Sequence, residues 1–255
     1  RPVPGTEIKT VDPETGAVLA LASNPSFDPN RYGESDADSR RCRPISDAYE
    51  PGSTFKVITA AAAIDAGTLG PDDVVNCGGG SLTIGRTTIH EHGRAAWAAL
   101  PLIDVLAHSS NVGAAYIGLG LGKVGFHRAV RAFGFGSKTG IDLEGETAGL
   151  LRDPASWSAL SLPTMSFGQE IGVNALQLTR AFCAIASGGL LPTPHLVSAV
   201  SRPGAVPERK AAPAPVRVIS GETSAAMRRL LVKVVEAGTG KKAAVPGFTV
   251  AGKTG

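Results

Sequence analysis

The feature that most constrains the fold of this chain is an alanine-rich stretch at residues 57–64, where seven of the eight side chains are apolar. Pro51 and Gly52 precede it and Gly67 follows it, as start and stop signals do for a helix. A helix that is largely apolar around its whole circumference must be surrounded by other elements. A chain of 255 residues, of which 43% are hydrophobic, is long enough to supply the core around it.

The rest of the chain mixes strands and helices without a regular βαβ alternation. Residues 8–22 predict a β-hairpin whose turn contains Asp12, Pro13 and Gly16. The other elements predicted from periodicity and breakers are helices at 53–66, 101–107, 112–119, 175–187 and 220–236, β-like structure at 76–88, a strand at 248–253, and loops at 24–43, 133–149 and 202–215. This order of elements predicts an α+β fold.

Composition excludes several classes of protein. A net charge of +3, spread along the chain, does not indicate a nucleic-acid partner. Cys42, Cys77 and Cys183 form no Cys-x-x-Cys pair, so neither a disulfide framework nor a zinc knuckle is indicated. The sequence contains no pattern of a signal peptide or membrane span. Because it starts at Arg1 and stops at Gly255 within a predicted strand, we expect a fragment truncated at both ends.

Ser53 and Lys56 carry the first candidate chemistry. They lie three residues apart at the start of the predicted buried helix, so they share a face. A serine hydroxyl needs a base within reach to become a nucleophile, and lysine can serve when burial lowers its pKa. The free N–H groups at a helix N-terminus also suit a developing oxyanion. For a bare Ser-x-x-Lys motif, the alternative is a capping serine with an exposed lysine.

A second motif, formed by Ser109, Ser110 and Asn111, joins two predicted apolar helices. Its hydroxyl could relay a proton and its carboxamide could hold a substrate amide. A helix cap is the simpler interpretation of this motif when it is taken alone.

A third motif, Lys253-Thr254-Gly255, ends the sequence. On a strand, Lys253 and Gly255 share one face, and a cation with a hydroxyl suits a substrate carboxylate. The tripeptide is a weak signal alone, because a second copy begins at Lys138 in a Gly-rich loop.

The three motifs in this order form the signature set of the penicillin-recognising acyl-serine enzymes, which this chain resembles. The spacing, 56 residues from Ser53 to Ser109 and 144 from Ser109 to Lys253, resembles that of class B penicillin-binding proteins. Further likenesses cover nearly the whole chain and lie at residues 12–20, 27–30, 50–52 and 133–143. The segments at residues 157, 164–169 and 238–243 are similar to the septal, cell-division branch of that family.

The resemblance implies both a fold and a role for each motif residue. The implied fold is the α+β transpeptidase/β-lactamase type, an antiparallel sheet flanked by helices, with an all-helical lobe beside it and the active site between them. Residues 1–255 are implied to form one transpeptidase domain whose last strands and closing helix follow Gly255. By resemblance the catalytic residues are Ser53 as nucleophile, Lys56 as its base and Ser109 as proton relay, and the substrate-binding residues are Asn111, Lys253, Thr254 and Gly255.

By the same resemblance the chain is a peptidoglycan D,D-transpeptidase. Ser53 would attack a D-Ala–D-Ala stem peptide, a neighbouring stem peptide's amine would resolve the acyl-enzyme, and β-lactams would acylate the same serine. The family needs no metal and no organic cofactor. The implied partners are peptidoglycan stem peptides, β-lactam antibiotics, a membrane glycan polymerase and divisome proteins, and no nucleic acid. The implied location is the bacterial cell membrane, with a single-pass anchor outside this sequence and a periplasmic catalytic domain.

Three other activities remain open at this stage. A class D serine β-lactamase also uses Ser-Thr-Phe-Lys, but it hydrolyses its acyl-enzyme quickly. A β-lactam sensor domain would form a stable adduct and would be linked to a membrane signalling segment. An inactive scaffold would not need Ser53 at all.

Three further patterns do not indicate a site. Residues 120–125 match Gly-x-Gly-x-x-Gly, but they follow a predicted helix and not a strand, which argues against nucleotide binding. His90, Glu91 and His92 predict a loop in solvent, because two histidines without a further Cys or His cluster make a poor metal site. His108 adjoins Ser109, and adjacent residues on a helix seldom face each other, so no Ser–His pair is predicted.

Overall fold

The computed structural model of this protein describes residues 7–255. Its α-helices are α1 Arg43–Ser46, α2 Lys56–Asp65, α3 Leu102–Ala107, α4 Asn111–Ala132, α5 Ser161–Ser166, α6 Ala175–Ala186 and α7 Gly221–Glu236. Its strands are β1 Glu7–Val11, β2 Val18–Ser23, β3 Val74–Asn76, β4 Ser81–Ile84, β5 Thr87–His90, β6 Ala99–Pro101, β7 Leu190–Leu191, β8 Ala199–Val200, β9 Glu208–Arg209 and β10 Val216–Arg217. This mixture agrees with the predicted α+β class.

The predicted hairpin is confirmed as β1 and β2, which pair antiparallel. Its turn forms because the Asp12 carboxylate accepts the backbone N–H groups of Glu14, at 3.1 Å, and Thr15, at 2.8 Å. Gly16 closes the turn with a φ of 80°, and a Cβ there would lie 2.4 Å from the Thr193 carbonyl oxygen. Only glycine meets both conditions, which explains its place in the sequence.

All the strand pairs in residues 7–255 are antiparallel, and they form two-stranded sheets. The pairs are β1–β2, β3–β6, β4–β5, β7–β10 and β8–β9. The predicted antiparallel pairing is therefore present, but it is divided over five short ladders and does not form one continuous sheet. Helices α1 and α6 pack against the β1–β2 hairpin.

Helix α2 lies at the centre of the main core, as its apolar sequence predicts. All its side chains from Lys56 to Ala63 are buried, and it packs against α4 and α7. Phe55 precedes it, fully buried, and contacts the rings of Phe126 and Phe135 at centroid distances of 6.4 and 5.1 Å. Burying an aromatic side chain contributes on the order of 2 kcal/mol, so these contacts anchor the start of the helix.

Two element predictions are wrong. The segment 248–253 is not a strand, because it lies beside α7, where the Gly252 N–H donates to the Leu231 carbonyl at 3.2 Å, and the Phe248 N–H donates within its own turn to the Val245 carbonyl at 3.1 Å. A strand needs a second extended segment whose backbone alternately accepts and donates hydrogen bonds. A helix does not present its backbone groups in that way. The helix predicted at 112–119 continues to Ala132 as α4, with a break at Gly122, whose φ is 69°.

Smaller differences concern the loops and the ends of helices. The segment predicted as loop at 202–215 contains the short strand β9, and the predicted loop at 24–43 contains a 3-10 helix at Pro29–Glu34. The cap predicted at Ser220 is present, since its hydroxyl accepts the Thr223 N–H at 3.0 Å. Among residues 7–255, no helix is both long and apolar enough to cross a bilayer.

Candidate active site

Ser53 lies in a 3-10 turn that leads directly into α2. Gly52 has a φ of 55° in this turn, which favours glycine, and its N–H donates to the Gly168 carbonyl at 3.0 Å. The Thr54 hydroxyl donates to the Pro51 carbonyl at 2.6 Å. The turn is held by these contacts, and it places Ser53, half-buried, at the N-terminal end of the core helix.

The Lys56 side chain is 1% exposed, so its amine is enclosed by protein. It donates to the Ser109 carbonyl at 2.5 Å, to Ser109 Oγ at 3.1 Å and to Asn111 Oδ1 at 2.7 Å. Burial and, to a smaller extent, the Lys253 cation lower the pKa of Lys56 from 10.5 to about 7, against the opposing effect of the Glu91 carboxylate. The alternative of an exposed lysine beside a capping serine is therefore wrong.

Ser109 connects α3 to α4 with a φ of 62°. A left-handed conformation at a residue with a Cβ costs on the order of 1 kcal/mol and is concentrated at functional sites. In this conformation both the carbonyl and the hydroxyl of Ser109 face Lys56. The hydroxyl also accepts from Lys253 Nζ at 3.0 Å, and burial lowers the pKa of Lys253 to about 8. One hydroxyl oxygen therefore bridges two lysine side chains.

The Lys253-Thr254-Gly255 segment lies beside the Ser53 turn. Lys253 Nζ donates to the Thr254 carbonyl at 2.9 Å as well as to Ser109. The Thr254 hydroxyl donates to Thr239 Oγ1 at 2.9 Å, which ties the segment to the residues after α7. A Cβ built on Gly255 would lie 3.2 Å from Cγ2 of Thr54, the residue after Ser53. All seven predicted site residues therefore fall in one cluster.

The chemistry available in this cluster is proton acceptance next to a fixed cation. A lysine with a pKa near 7 can be a base at neutral pH, while Lys253, with a pKa near 8, is still mostly charged there. Ser53 Oγ is not one of the three oxygen atoms that accept a hydrogen bond from Lys56. Contact between Ser53 and its candidate base therefore requires Lys56 to exchange one present acceptor for Ser53 Oγ.

The second motif serves as both cap and site. Ser110 Oγ accepts the Gly113 N–H at 2.8 Å and caps α4, as the simpler interpretation predicts. Its two neighbours, Ser109 and Asn111, instead point their oxygens at Lys56. The cap fixes the start of α4 and so fixes the two residues that surround the amine.

Glu91 is the residue at this site that the sequence prediction missed. The segment 90–92 is predicted to be a loop in solvent, and His90 and His92 are exposed, but Glu91 is 4% exposed. Its carboxylate accepts the Asn111 N–H at 2.7 Å and the hydroxyl of Ser110. The signal for it lies in β5, where buried Ile89 and exposed His90 continue an alternation that turns residue 91 inward.

The remaining candidates are exposed or have their contacts elsewhere. Lys138 of the other Lys-Thr-Gly copy is exposed, and Thr139 beside it is buried against Glu146. His108 is exposed and stacks on Trp97 at 5.2 Å between ring centroids. Within residues 7–255, no group of three or more His, Cys, Asp and Glu side chains is placed to hold a metal ion.

Comparison with known proteins identifies the class. The chain belongs to the family of penicillin-binding protein transpeptidase domains, whose model matches residues 8–255. Penicillin-binding protein PbpB of Mycobacterium tuberculosis is 34% identical over 256 residues, which cover 96% of this chain and 37% of that protein. The "Probable peptidoglycan D,D-transpeptidase PenA" of Neisseria flavescens is 35% identical over 250 residues, which cover 97% of this chain and 59% of that protein.

Among solved structures, the TP domain of penicillin-binding protein 3 from Burkholderia pseudomallei is similar with a TM-score of 0.81. The match is 29% identical in sequence and covers 97% of this chain and 67% of that one. These findings confirm the predicted transpeptidase/β-lactamase-like fold and the predicted resemblance to class B penicillin-binding proteins. The chain spans less than two thirds of the length of both curated relatives.

Proposed function

We propose that this chain is the catalytic part of a peptidoglycan D,D-transpeptidase that forms an acyl-enzyme on Ser53. The observation that carries the proposal is the environment of Lys56, whose buried amine has a pKa near 7 and lies one helical turn from Ser53. Such an amine can take up a proton from a serine hydroxyl at neutral pH. Residues 8–255, which match the family, act as one transpeptidase unit in this proposal.

In the acylation step, Ser53 Oγ attacks the carbonyl carbon of the amide between the two D-alanines. Its proton goes to Lys56, and a C–O bond forms as the carbonyl becomes an oxyanion near the N-terminal end of α2. The C–N bond then breaks, and the leaving amine of D-alanine receives a proton through Ser109, whose hydroxyl lies 3.1 Å from Lys56. The products are an ester on Ser53 and free D-alanine.

Lys253 and Thr254 bind the terminal carboxylate of the donor peptide, and Asn111 binds its backbone amide. A cation that burial has stripped of water attracts a carboxylate more strongly than a solvated one does. In the second step, an amine of a neighbouring stem peptide attacks the ester and releases Ser53, which completes the cross-link. A β-lactam acylates Ser53 in the same way, but its leaving amine stays tethered to the acyl group.

The proposed cellular setting is supported by the family alone. We place the domain on the periplasmic side of the bacterial cell membrane, in a protein with a single-pass anchor. Its working partners would be a membrane glycan polymerase and divisome proteins, in septal wall synthesis.

Depletion of the protein should then stop division and leave elongation intact, and a block of elongation instead would refute the septal assignment.

The proposal is tested by intact mass after the full-length gene product is mixed with a penicillin. A stable one-to-one adduct is expected, and the Ser53→Ala variant should form none. The matched control is Ser156→Ala, which alters a serine in another 3-10 turn and should keep the adduct. An adduct that is lost within seconds would favour a β-lactamase, and no adduct on folded protein would leave an inactive scaffold.

A stable adduct is also expected of a β-lactam sensor, so a second measurement is needed. Cross-linking of a D-Ala–D-Ala stem peptide to an acceptor amine should be lost in Ser53→Ala. If the adduct is stable but the protein releases no D-alanine, the sensor becomes the better account.

A further inference from the structure

We propose that Glu91 is a positioning residue for the reaction: its buried carboxylate holds the first turn of α4 so that Ser109 and Asn111 stay in place around Lys56. This inference rests on the function proposed above. It adds a fourth element to the site, the loop after β5, beside the turn at Ser53, the start of α4 and the Lys253 segment.

The hydrogen bonds of the Glu91 carboxylate all go to the start of α4. One carboxylate oxygen accepts the Asn111 N–H at 2.7 Å, and the other accepts the Ser110 hydroxyl and the Val112 N–H, the latter at 3.3 Å. Glu91 itself is held because its N–H donates to the Gly80 carbonyl at 3.1 Å. The carboxylate therefore links a fixed loop to the backbone of a residue that contacts Lys56.

Glu91 and Ser110 together satisfy the N-terminal N–H groups of α4. Ser110 Oγ takes the Gly113 N–H, which is the ordinary work of an N-cap. Glu91 takes the Asn111 and Val112 N–H groups, which the cap cannot reach. A negative charge at this end also opposes the partial positive charge of the helix. Without Glu91 the first turn would lose two acceptors, and Asn111 would lose the bond that fixes its backbone.

Glu91 also acts on Lys56 through charge. The titratable groups that face Lys56 are Lys253, from the last segment, and Glu91, from the loop after β5. Cys77 faces Glu91 from the turn after β3, through Ser110. Glu91 raises the pKa of Lys56, while burial and Lys253 lower it. Loss of the Glu91 charge must therefore lower the pKa of Lys56, which a purely structural contact would not do.

The test compares the second-order rate of penicillin acylation, measured against pH, in the full-length protein and its variants. In Glu91→Gln the maximum rate should fall about ten- to a hundredfold, because a catalytic group is misplaced. The acid limb of its pH profile should move to lower pH. Glu91→Asp keeps the charge on a shorter side chain, so it should lose rate while its acid limb stays close to that of the parent.

Glu146→Gln is the matched control. Glu146 is another buried glutamate whose carboxylate accepts a backbone N–H, from Thr139 at 2.8 Å, but it is not among the charges that act on Lys56. It should lower the melting temperature without moving the acid limb. If Glu91→Gln also lowers stability and leaves the acid limb in place, Glu91 is only a helix cap and the proposal is wrong.

A second measurement separates this inference from the proposed function. NMR titration of labelled lysine amines follows Lys56 directly, with Lys56→Met for assignment, and it needs no reaction. The pKa of Lys56 should be lower in Glu91→Gln than in the parent. An unchanged pKa overturns the positioning role even if penicillin acylates Ser53, while a protein that penicillin does not acylate refutes the function and still gives this result for Glu91.

Discussion

The two Lys-Thr-Gly copies have the same sequence and opposite arrangements. At residues 138–140 the lysine is exposed and the threonine is buried, with the Thr139 N–H donating to Glu146 at 2.8 Å. At residues 253–255 the lysine is turned inward to Ser109 at 3.0 Å and the threonine is exposed. The tripeptide alone therefore does not decide which side chain is used, and the surrounding elements do.

The difference arises from the residues that surround each copy. The loop at Lys138 packs its threonine against a buried carboxylate, so the lysine must extend into solvent. The copy at Lys253 lies against the start of α2, where Ser109 offers the lysine an acceptor and no carboxylate takes the threonine N–H among the described residues. A motif search therefore needs the elements around the motif as well as its letters.

The largest expected difference between the two Lys-Thr-Gly copies is at their lysines. Lys253→Ala should slow penicillin acylation by roughly a hundredfold or more, because the cation proposed to bind the ligand carboxylate is lost. Lys138→Ala should leave the rate within about twofold, since an exposed side chain outside the cluster contributes little. Mass spectrometry of adduct formation over time measures both. Equal losses in the two variants would show that the segment at Lys253 is not a ligand site.

The pH dependence sharpens the same comparison. In the proposed mechanism, acylation needs Lys56 neutral and Lys253 charged, so the rate should rise through a pH of about 7 and fall through about 8. The Lys253 cation lowers the pKa of Lys56, so its removal in Lys253→Met should raise that pKa. The acid limb should then move to higher pH and the alkaline limb should disappear. Lys138→Met should reproduce the parent profile, and a shift there would contradict the assignment.

Replacement of the threonine should change the stability of the protein by different amounts in the two copies. Thr139→Val removes the buried hydroxyl that accepts the Ile141 N–H, so the free energy of unfolding should fall by about 1 to 2 kcal/mol. Thr254→Val should change it by less than about 0.5 kcal/mol, because its side chain is exposed. Urea unfolding of both variants gives the two values. A larger loss at Thr254 would mean that the last segment contributes to the core.

Small effects are also expected at the glycines. Gly140 has a φ of 84°, so Gly140→Ala should cost about 1 kcal/mol of stability through backbone strain. Gly255→Ala should instead slow acylation a few-fold, because the new Cβ would lie 3.2 Å from Thr54 Cγ2 and would crowd the Ser53 turn. Thermal melts and acylation rates of the two variants should diverge in this way. A stability loss alone at Gly255 would argue against its place in the site.

Local signals in the sequence were sufficient for some of this structure. The hairpin turn at Asp12, the cap at Ser220 and the buried helix α2 each depend on a few neighbouring residues, and all three are present. The order of the three motifs also identified the family. Each of these signals is contained in one stretch of chain or in a known order of motifs.

The features that sequence reasoning missed depend on distant neighbours. The alternation in β5 turns Glu91 inward, but the N–H groups that its carboxylate binds lie at the start of α4, 20 residues further on. The segment 248–253 has strand-like residues, but α7 lies beside it, and α4 resumes after Gly122. The inward turn of Lys253 likewise depends on Ser109, 144 residues away. Such contacts do not appear in any window of local pattern.

The three acceptors around Lys56 lead to a count of hydrogens. A charged amine has three hydrogens, and the Ser109 carbonyl, Ser109 Oγ and Asn111 Oδ1 take all of them. A neutral amine has two, so when Lys56 loses its proton one of these three oxygens is left without a hydrogen. In the proposed reaction, the proton that Ser53 gives to Lys56 supplies the third hydrogen again. Protonation of the leaving amine then removes it, and Lys56 is ready for the next acylation.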